Sequence, residues 1–426
     1  MNSTIILKGN ILYTPNPSAL VSIQQGYVIA VDGVVVHCGE SIPTVYTEYD
    51  VVDYGDNLII PGFVDTHAHA PQYCNRGLGM DKELLPWLET YTFPEEAKFI
   101  DPDYARLVYG AFVHDLWRNG TTRSILFGTI HKDSTLVLME LLQKAGLSAY
   151  VGKVNMDRNS PEFLIEETNQ SLADTKVWLD ASAQFGPLVK PIITPRFVPS
   201  CTSELMTGLA KLAKEYDVPV QSHLSENHGE IDWVASLHPE SSNYTDVYYE
   251  HHLMGTVPTV MAHCIHLSGV EMDRMADTQT MVSHCPYSNV NLSSGIAPIR
   301  KLFERNIPIG LGSDISGGHI VSMAKVLTEA IGLSKMKWAE VDQNYAPLTL
   351  SEAFYMATKG GGQFFGHVGS FENGCELDAL IIDDTSLFDP NERSLEERLE
   401  RWLYVGDDRH IIERYVAGRV VPSPKG

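Results

Sequence analysis

The stretch Asn57-Leu-Ile-Ile-Pro61-Gly62-Phe-Val-Asp65-Thr-His67-Ala-His69 divides the chain into two kinds of sequence. Before it stand short β-rich runs at 5–7, 27–31 and 34–37, parted by turn residues such as Asp32-Gly33, with no amphipathic helix among them. After it, short apolar runs alternate with helix-like segments. Eight of the runs read as strands: 63–67, 122–126, 149–154, 191–195, 218–223, 259–263, 280–284 and 307–312. Segments 104–118, 135–145, 204–215 and 320–335 read as helices between them. Strand and helix in alternation require a parallel sheet with right-handed crossovers, and eight such units in about 300 residues match a (β/α)₈ TIM barrel. An open doubly wound sheet would carry a glycine-rich phosphate turn after its first strand, and none is present. The far end is β-rich again, at 377–382 and 411–421. Residues 62–370 are therefore expected to form the barrel, and 1–61 with 371–426 a small β-sandwich domain built from both chain termini.

Composition narrows the function. The 426 residues are 44% hydrophobic and 20% charged, an ordinary globular balance. A net charge of −23, from 31 Lys and Arg against 54 Asp and Glu, repels phosphate backbones and anionic membranes. Neither nucleic acid nor a membrane is an expected partner; a neutral or cationic small molecule is. Six scattered cysteines without a C-x-x-C pair argue against a zinc ribbon and for reduced thiols. No apolar run approaches the length of a membrane span. Lys8-Gly9-Asn10 interrupts the segment where a secretory signal would be apolar, so a cytoplasmic protein is expected.

Among 16 histidines, position matters more than number. His67, His69, His223 and His263 fall at or just beyond the C-terminal ends of candidate strands, and Asp314 follows the eighth strand in Ile309-Gly-Leu-Gly-Ser-Asp314. In a β/α barrel that face is where side chains from different strands converge. His67 and His69 stand at i and i+2 of one strand and project the same way. A lone histidine is most simply a hydrogen-bonded core residue, but five metal-competent residues reaching one face from strands one, five, six and eight are not explained by packing. Two imidazoles, a third from strand five and one carboxylate suit Zn²⁺ or Fe²⁺ and leave a position for water. Glu226, three residues after His223, falls in the loop beyond the strand. It is either placed over the metal to shuttle protons or a solvated or helix-capping glutamate.

H-x-H after strand one, single histidines after strands five and six and an aspartate after strand eight resemble the amidohydrolase superfamily of metal-dependent hydrolases. His223-Leu-Ser-Glu226 is similar to the variant carried by its amine-releasing cytosine and purine deaminases. Four segments resemble the guanine-deaminating branch: Pro61-Gly-Phe-Val-Asp-Thr-His67-Ala-His69-Ala-Pro-Gln72, Leu85-Pro-Trp-Leu-Glu-Thr-Tyr91-Thr-Phe93-Pro, Thr194-Pro-Arg196-Phe197 and Tyr404-Val-Gly-Asp-Asp-Arg409. The resemblance implies one Zn²⁺ or Fe²⁺ per subunit, held by His67, His69, His223 and Asp314. A binuclear site would need a carboxylated lysine within strand four, whose only lysine, Lys190, lies at its entrance. His263 is then left to hydrogen-bond the metal-bound water or the reaction intermediate.

The resemblance further implies deamination of guanine by water to xanthine and ammonia in purine catabolism or salvage. Asp314 would accept the water proton and Glu226 would protonate ring N3, with His263 as the third catalytic residue. Another purine, a pterin or a triazine is the alternative substrate, and a homodimer is implied. The H-x-E and P-C-x-x-C pattern of the other zinc deaminases is absent.

Specificity is expected from Gln72, Arg196 and Phe197, with Glu226 and His263 also touching the base. Arginine's fork of donors suits the O6 and N7 acceptors of guanine, a glutamine amide can donate and accept along the N1/O6 edge, and Phe197 can stack on the ring. The plainer alternatives are a surface ion pair for Arg196 and a core position for Phe197. Tyr91 and Phe93 read equally as a lid or as buried anchors. His284-Cys285-Pro286-Tyr-Ser288-Asn289 reads as a structural turn, and Gly360-Gly-Gly362, which follows a helix rather than a strand, as a close-packed bend.

Overall fold

The computed structural model describes residues 3–424. Strands form at all eight expected places: Phe63–His69, Thr121–Phe127, Ser148–Gly152, Val189–Pro191, Val220–Leu224, Thr259–His263, Met281–His284 and Ile309–Leu311. They make two four-stranded parallel sheets, each in chain order. Nearly every residue of these strands is buried, polar ones such as Asp65, Arg123 and Gln221 included, so they do not show the strict alternation of a sheet with one wet face.

The two sheets meet along both edges. On one side Ile193 bridges Val220 in parallel, with Gln221 N donating to Ile193 O at 2.9 Å. On the other, Asp314 N donates to His67 O at 2.8 Å and Thr66 Oγ1 to Leu311 O at 2.9 Å. The expected fourth strand is split into Val189–Pro191 and Thr194–Pro195. Its two prolines lack the N–H that a continuous ladder needs. Helices Pro102–Arg118, Lys132–Ala145, Ser203–Tyr216 and Met323–Glu340 match the expected segments to within a few residues.

Glycine sets the closest approach in the interior. A Cβ on Gly312 would stand 2.6 Å from Ser283 Oγ, 2.9 Å from Cys285 Sγ and 2.9 Å from the Cβ of His67. Gly312→Ala is expected to lower stability by about 1–3 kcal/mol through overpacking and to displace His67. A thermal melt beside a metal determination checks both effects. The Gly360-Gly-Gly362 segment is close-packed as expected, since added Cβ atoms there would meet Ile309 O, Val64 and Val368 O. It is helical rather than a bend: Gly360 ends the π-helical turn Met356–Gly360, and the helix runs on through Gly361 and Gly362.

The strands of the two chain ends form one seven-stranded mixed sheet, not the two facing sheets of a sandwich. Strand Val51–Pro61 is the pivot, pairing parallel with Thr4–Asn16 and antiparallel with Ala379–Ile382. Alternate residues serve two cores. Leu58, Ile60, Leu380 and Ile382 join the main core, whereas Ile59, Ala379 and Ile381 join a smaller one with Leu7, Val28 and Phe371. The sheet encloses that small core by curling until its edges meet: Val34 bridges Glu376, Leu377 N donates to Gly33 O, and Gly418 N donates to Leu377 O. Bulges between Gly9 and Ile11, on one strand, supply the bend.

Candidate metal centre and active site

The C-terminal ends of strands one, five and six and the turn after strand eight deliver the five predicted residues to one buried place. Two of them leave their strands through a left-handed backbone, His263 at φ 69° and Asp314 at φ 47°, a conformation few non-glycine residues adopt. Asp65, one turn of the pleat below His67, ties the two halves together. Its carboxylate accepts from Ser313 N at 2.9 Å, Ser313 Oγ at 2.5 Å and His67 N at 3.2 Å, and burial pushes it up to about 7.

The ring nitrogens converge. His69 Nε2 lies 3.1 Å from His223 Nε2, and Asp314 Oδ1 stands 3.2 Å from His67 Nε2 and 3.6 Å from His69 Nε2. His223 is oriented by donation from Nδ1 to Arg196 O at 2.6 Å, which leaves its Nε2 lone pair facing inward. Burial, reinforced by the neighbouring rings, holds His69 and His223 well below the ordinary imidazole range, so both are neutral. Burial alone would raise the Asp314 carboxyl, but the adjacent His67 and His263 outweigh it and hold the group well below its usual range.

This donor set fits a metal. His67 Nε2 is buried and, among the described residues, has no hydrogen-bond partner. Bonds of about 2.0–2.1 Å at tetrahedral angles would put neighbouring ligand atoms about 3.3 Å apart, close to the separations between His69, His223, His67 and Asp314. His67, His69 and Asp314 form one compact donor group, and His67, His223 and His263 another. His263 is thus near enough to ligate, yet its Nε2 also faces Glu226 Oε2 at 3.3 Å and Asp314 Oδ2 at 3.7 Å, and its Nδ1 pairs with Asn289 Oδ1 at 3.0 Å. Burial works to lower His263, but the two carboxylates prevail and raise it.

Above these residues opens a cavity lined by His69, His223, His263 and Asp314 together with Gln72, Arg196, Phe197 and Glu226. Leu84, Trp87, Leu88 and Leu292 complete its apolar wall. Glu226 is buried and points into this space; the cap of the following helix is Asn227, in a capping box with Glu230. Burial pushes the Glu226 carboxyl up to about 7, so at neutral pH it can hold and release a proton. Ser294 Oγ donates to its Oε1 at 3.2 Å. Arg196 is a buried ion-pair partner rather than a surface one: its Nη1 donates to Glu96 Oε2 at 2.6 Å, and the guanidinium carbon lies 5.3 Å from the centre of the Phe93 ring. Phe93 is therefore an anchor, and Trp87 takes the place at the cavity wall that Tyr91 and Phe93 were candidates for.

Several members of the site were not singled out from sequence. Glu96 and Ser294 are isolated polar residues with no motif of their own, whereas the Asn227-x-x-Glu230 spacing is that of a capping box and could have marked Glu230. Asn289 belongs to the segment read as a turn; the structure folds Pro286–Asn291 into a short helix instead, from which Asn289 fixes the His263 ring.

The Amidohydrolase family profile matches residues 58–421, and the chain belongs to that family. Among its relatives in that family are guanine deaminases. The chain is 46% identical to the guanine deaminase of Dictyostelium discoideum over 379 residues, 87% of this chain and 84% of the relative. It is 37% identical to that of Escherichia coli K12 over 416 residues, 95% and 92% of the two chains. A crystal structure of guanine deaminase from C. acetobutylicum with guanine bound in the active site superposes with a TM-score of 0.96 at 50% identity, covering 99% of this chain and 100% of the other.

Proposed function

We propose that this chain is a guanine deaminase, converting guanine and water to xanthine and ammonia. The observation that carries the reading is that a buried glutamate raised to about 7, a group of metal-competent donors and the polar side chains of Gln72 and Arg196 line one cavity. The assigned metal ligands are His67, His69, His223 and Asp314. Zn²⁺ held there would act as a Lewis acid and lower the pKa of a water from 15.7 to about 7. Asp314, ionised in its surroundings, takes a proton from the attacking water as its oxygen bonds to C2. Glu226 gives its proton to N3, which makes C2 electrophilic. Asp314 passes the water proton on to the exocyclic amine, ammonia departs as the C2–N bond breaks, and the proton left on the new hydroxyl returns to Glu226 as the C2 carbonyl forms. His263, held by Asn289, hydrogen-bonds the oxygen added at C2. Gln72 and Arg196 read the N1/O6/N7 edge, and Phe197 packs against the ring.

A panel of bases assayed for ammonia release, with a guanine-to-xanthine absorbance assay run with and without chelator, tests the reading. An inert guanine beside an active pterin or triazine would overturn it. Arg196→Lys keeps a cation for Glu96 but loses the planar fork, so KM for guanine is expected to rise about tenfold or more with kcat little altered. Arg196→Ala would add a stability loss of about 3–5 kcal/mol, because it strands the Glu96 charge in the interior.

The same reading makes residues 62–370 one closed (β/α)₈ barrel and 1–61 with 371–426 its companion domain, supported by the contacts that join the sheet edges. It also places the protein as a homodimer in the cytoplasm, working in purine catabolism or salvage. No helix among the described residues is long and apolar enough to cross a membrane.

A further inference from the structure

We infer that Glu96 is a positioning residue for base recognition, holding Gln72 and Arg196 in the one arrangement that reads guanine; the inference rests on the deaminase reading. Glu96 ends the short helix Phe93–Glu96, directly after the Leu85 to Pro94 motif, and its side chain is only 4% exposed. One oxygen accepts from Gln72 Nε2 at 2.8 Å and the other from Arg196 Nη1 at 2.6 Å. Gln72 is held from its other end too, since its Oε1 accepts from Ser316 N at 3.2 Å. A flipped Gln72 amide would set its oxygen against a carboxylate and its NH₂ against an N–H, so Glu96 decides which way that amide faces.

Only a carboxylate accepts on both of its oxygens. A glutamine at 96 has one acceptor and one donor, and can satisfy Arg196 or Gln72 but not both. Among the described residues Glu96 is also the one protein acceptor for the Arg196 guanidinium, which leaves the rest of its donors to the cavity. Its charge offsets that of Arg196, which suits a neutral base.

The test is Glu96→Gln, comparing guanine turnover with inhibition by 2-aminopurine, a base that lacks the 6-oxo group. KM for guanine should rise about 10–100-fold, the worth of one hydrogen bond to a charged group. The kcat and the Ki of 2-aminopurine should each stay within about threefold, the pattern of lost binding without lost chemistry, and metal content should be unchanged. An unaltered guanine KM, or equal losses for both bases, overturns the assignment. A second measurement covers poor folding of that variant. Gln72→Glu added to Glu96→Gln exchanges donor and acceptor between the two positions, and thermal stability should recover; no recovery also overturns it. Wild-type protein inert on guanine would instead sink the deaminase reading itself, whereas active wild type with an indifferent Glu96→Gln sinks this inference alone.

Discussion

Glu226→Gln is expected to keep the metal and lose about 10²–10⁴-fold in kcat, the range for removing a positioned general acid or base. The side chain is isosteric, and its contacts are with Ser294 and His263, not with His67, His69 or His223. The helix cap that follows depends on Asn227 and Glu230, and the Glu226 contribution to it is a backbone N–H donated to Glu230 Oε2 at 2.9 Å. The fold therefore has little reason to change. What disappears is the proton: an amide cannot deliver one to N3 or recover one from the hydroxyl formed at C2. Steady-state kinetics on guanine beside elemental analysis checks the pair of outcomes. Near-normal turnover with full metal would remove Glu226 from the proton path.

The second large effect is expected at Asp314. Asp314→Asn replaces a carboxylate whose Oδ1 stands 3.2 Å from His67 and 3.6 Å from His69 and whose Oδ2 stands 3.7 Å from His263. The variant should lose more metal affinity than the 10–100-fold typical of an outer-shell change, and kcat should fall even when the metal is resupplied, because an amide accepts no proton from water. Dialysis of the wild-type protein against a chelator should abolish turnover, with Zn²⁺ restoring it at about one ion per chain. Full activity after exhaustive chelation, or a metal-free protein as purified that still turns over guanine, would contradict the ligand assignment.

Much of this was legible before any coordinates. Strands buried on both faces carry apolar stretches, so eight short runs stood out, and residues at their C-terminal ends could be placed on one face without knowing a distance. His67 and His69 followed from the two-residue period of a strand alone. The terminal strands were also visible, but a sandwich and a curled single sheet share the same alternation. The choice between them depends on Val34 meeting Glu376 and Leu377 meeting Gly33, contacts between residues more than 300 apart in sequence that no local pattern encodes.

By itself, then, the sequence determined the strand and helix alternation, the five metal-competent residues and the position of Glu226 beyond strand five, because each rests on short-range spacing. Only the tertiary structure decided what those residues touch. It gave Arg196, read as a base-binding donor or a surface ion-pair partner, a buried partner in Glu96, made Asn289 the support of His263 and gave Asp65 the task of fastening strand one to the turn after strand eight. The physical reason is that hydrogen bonds and burial are pairwise and long-range: a carboxylate buried with two donors is a positioning device, and the same residue in water is only a charge.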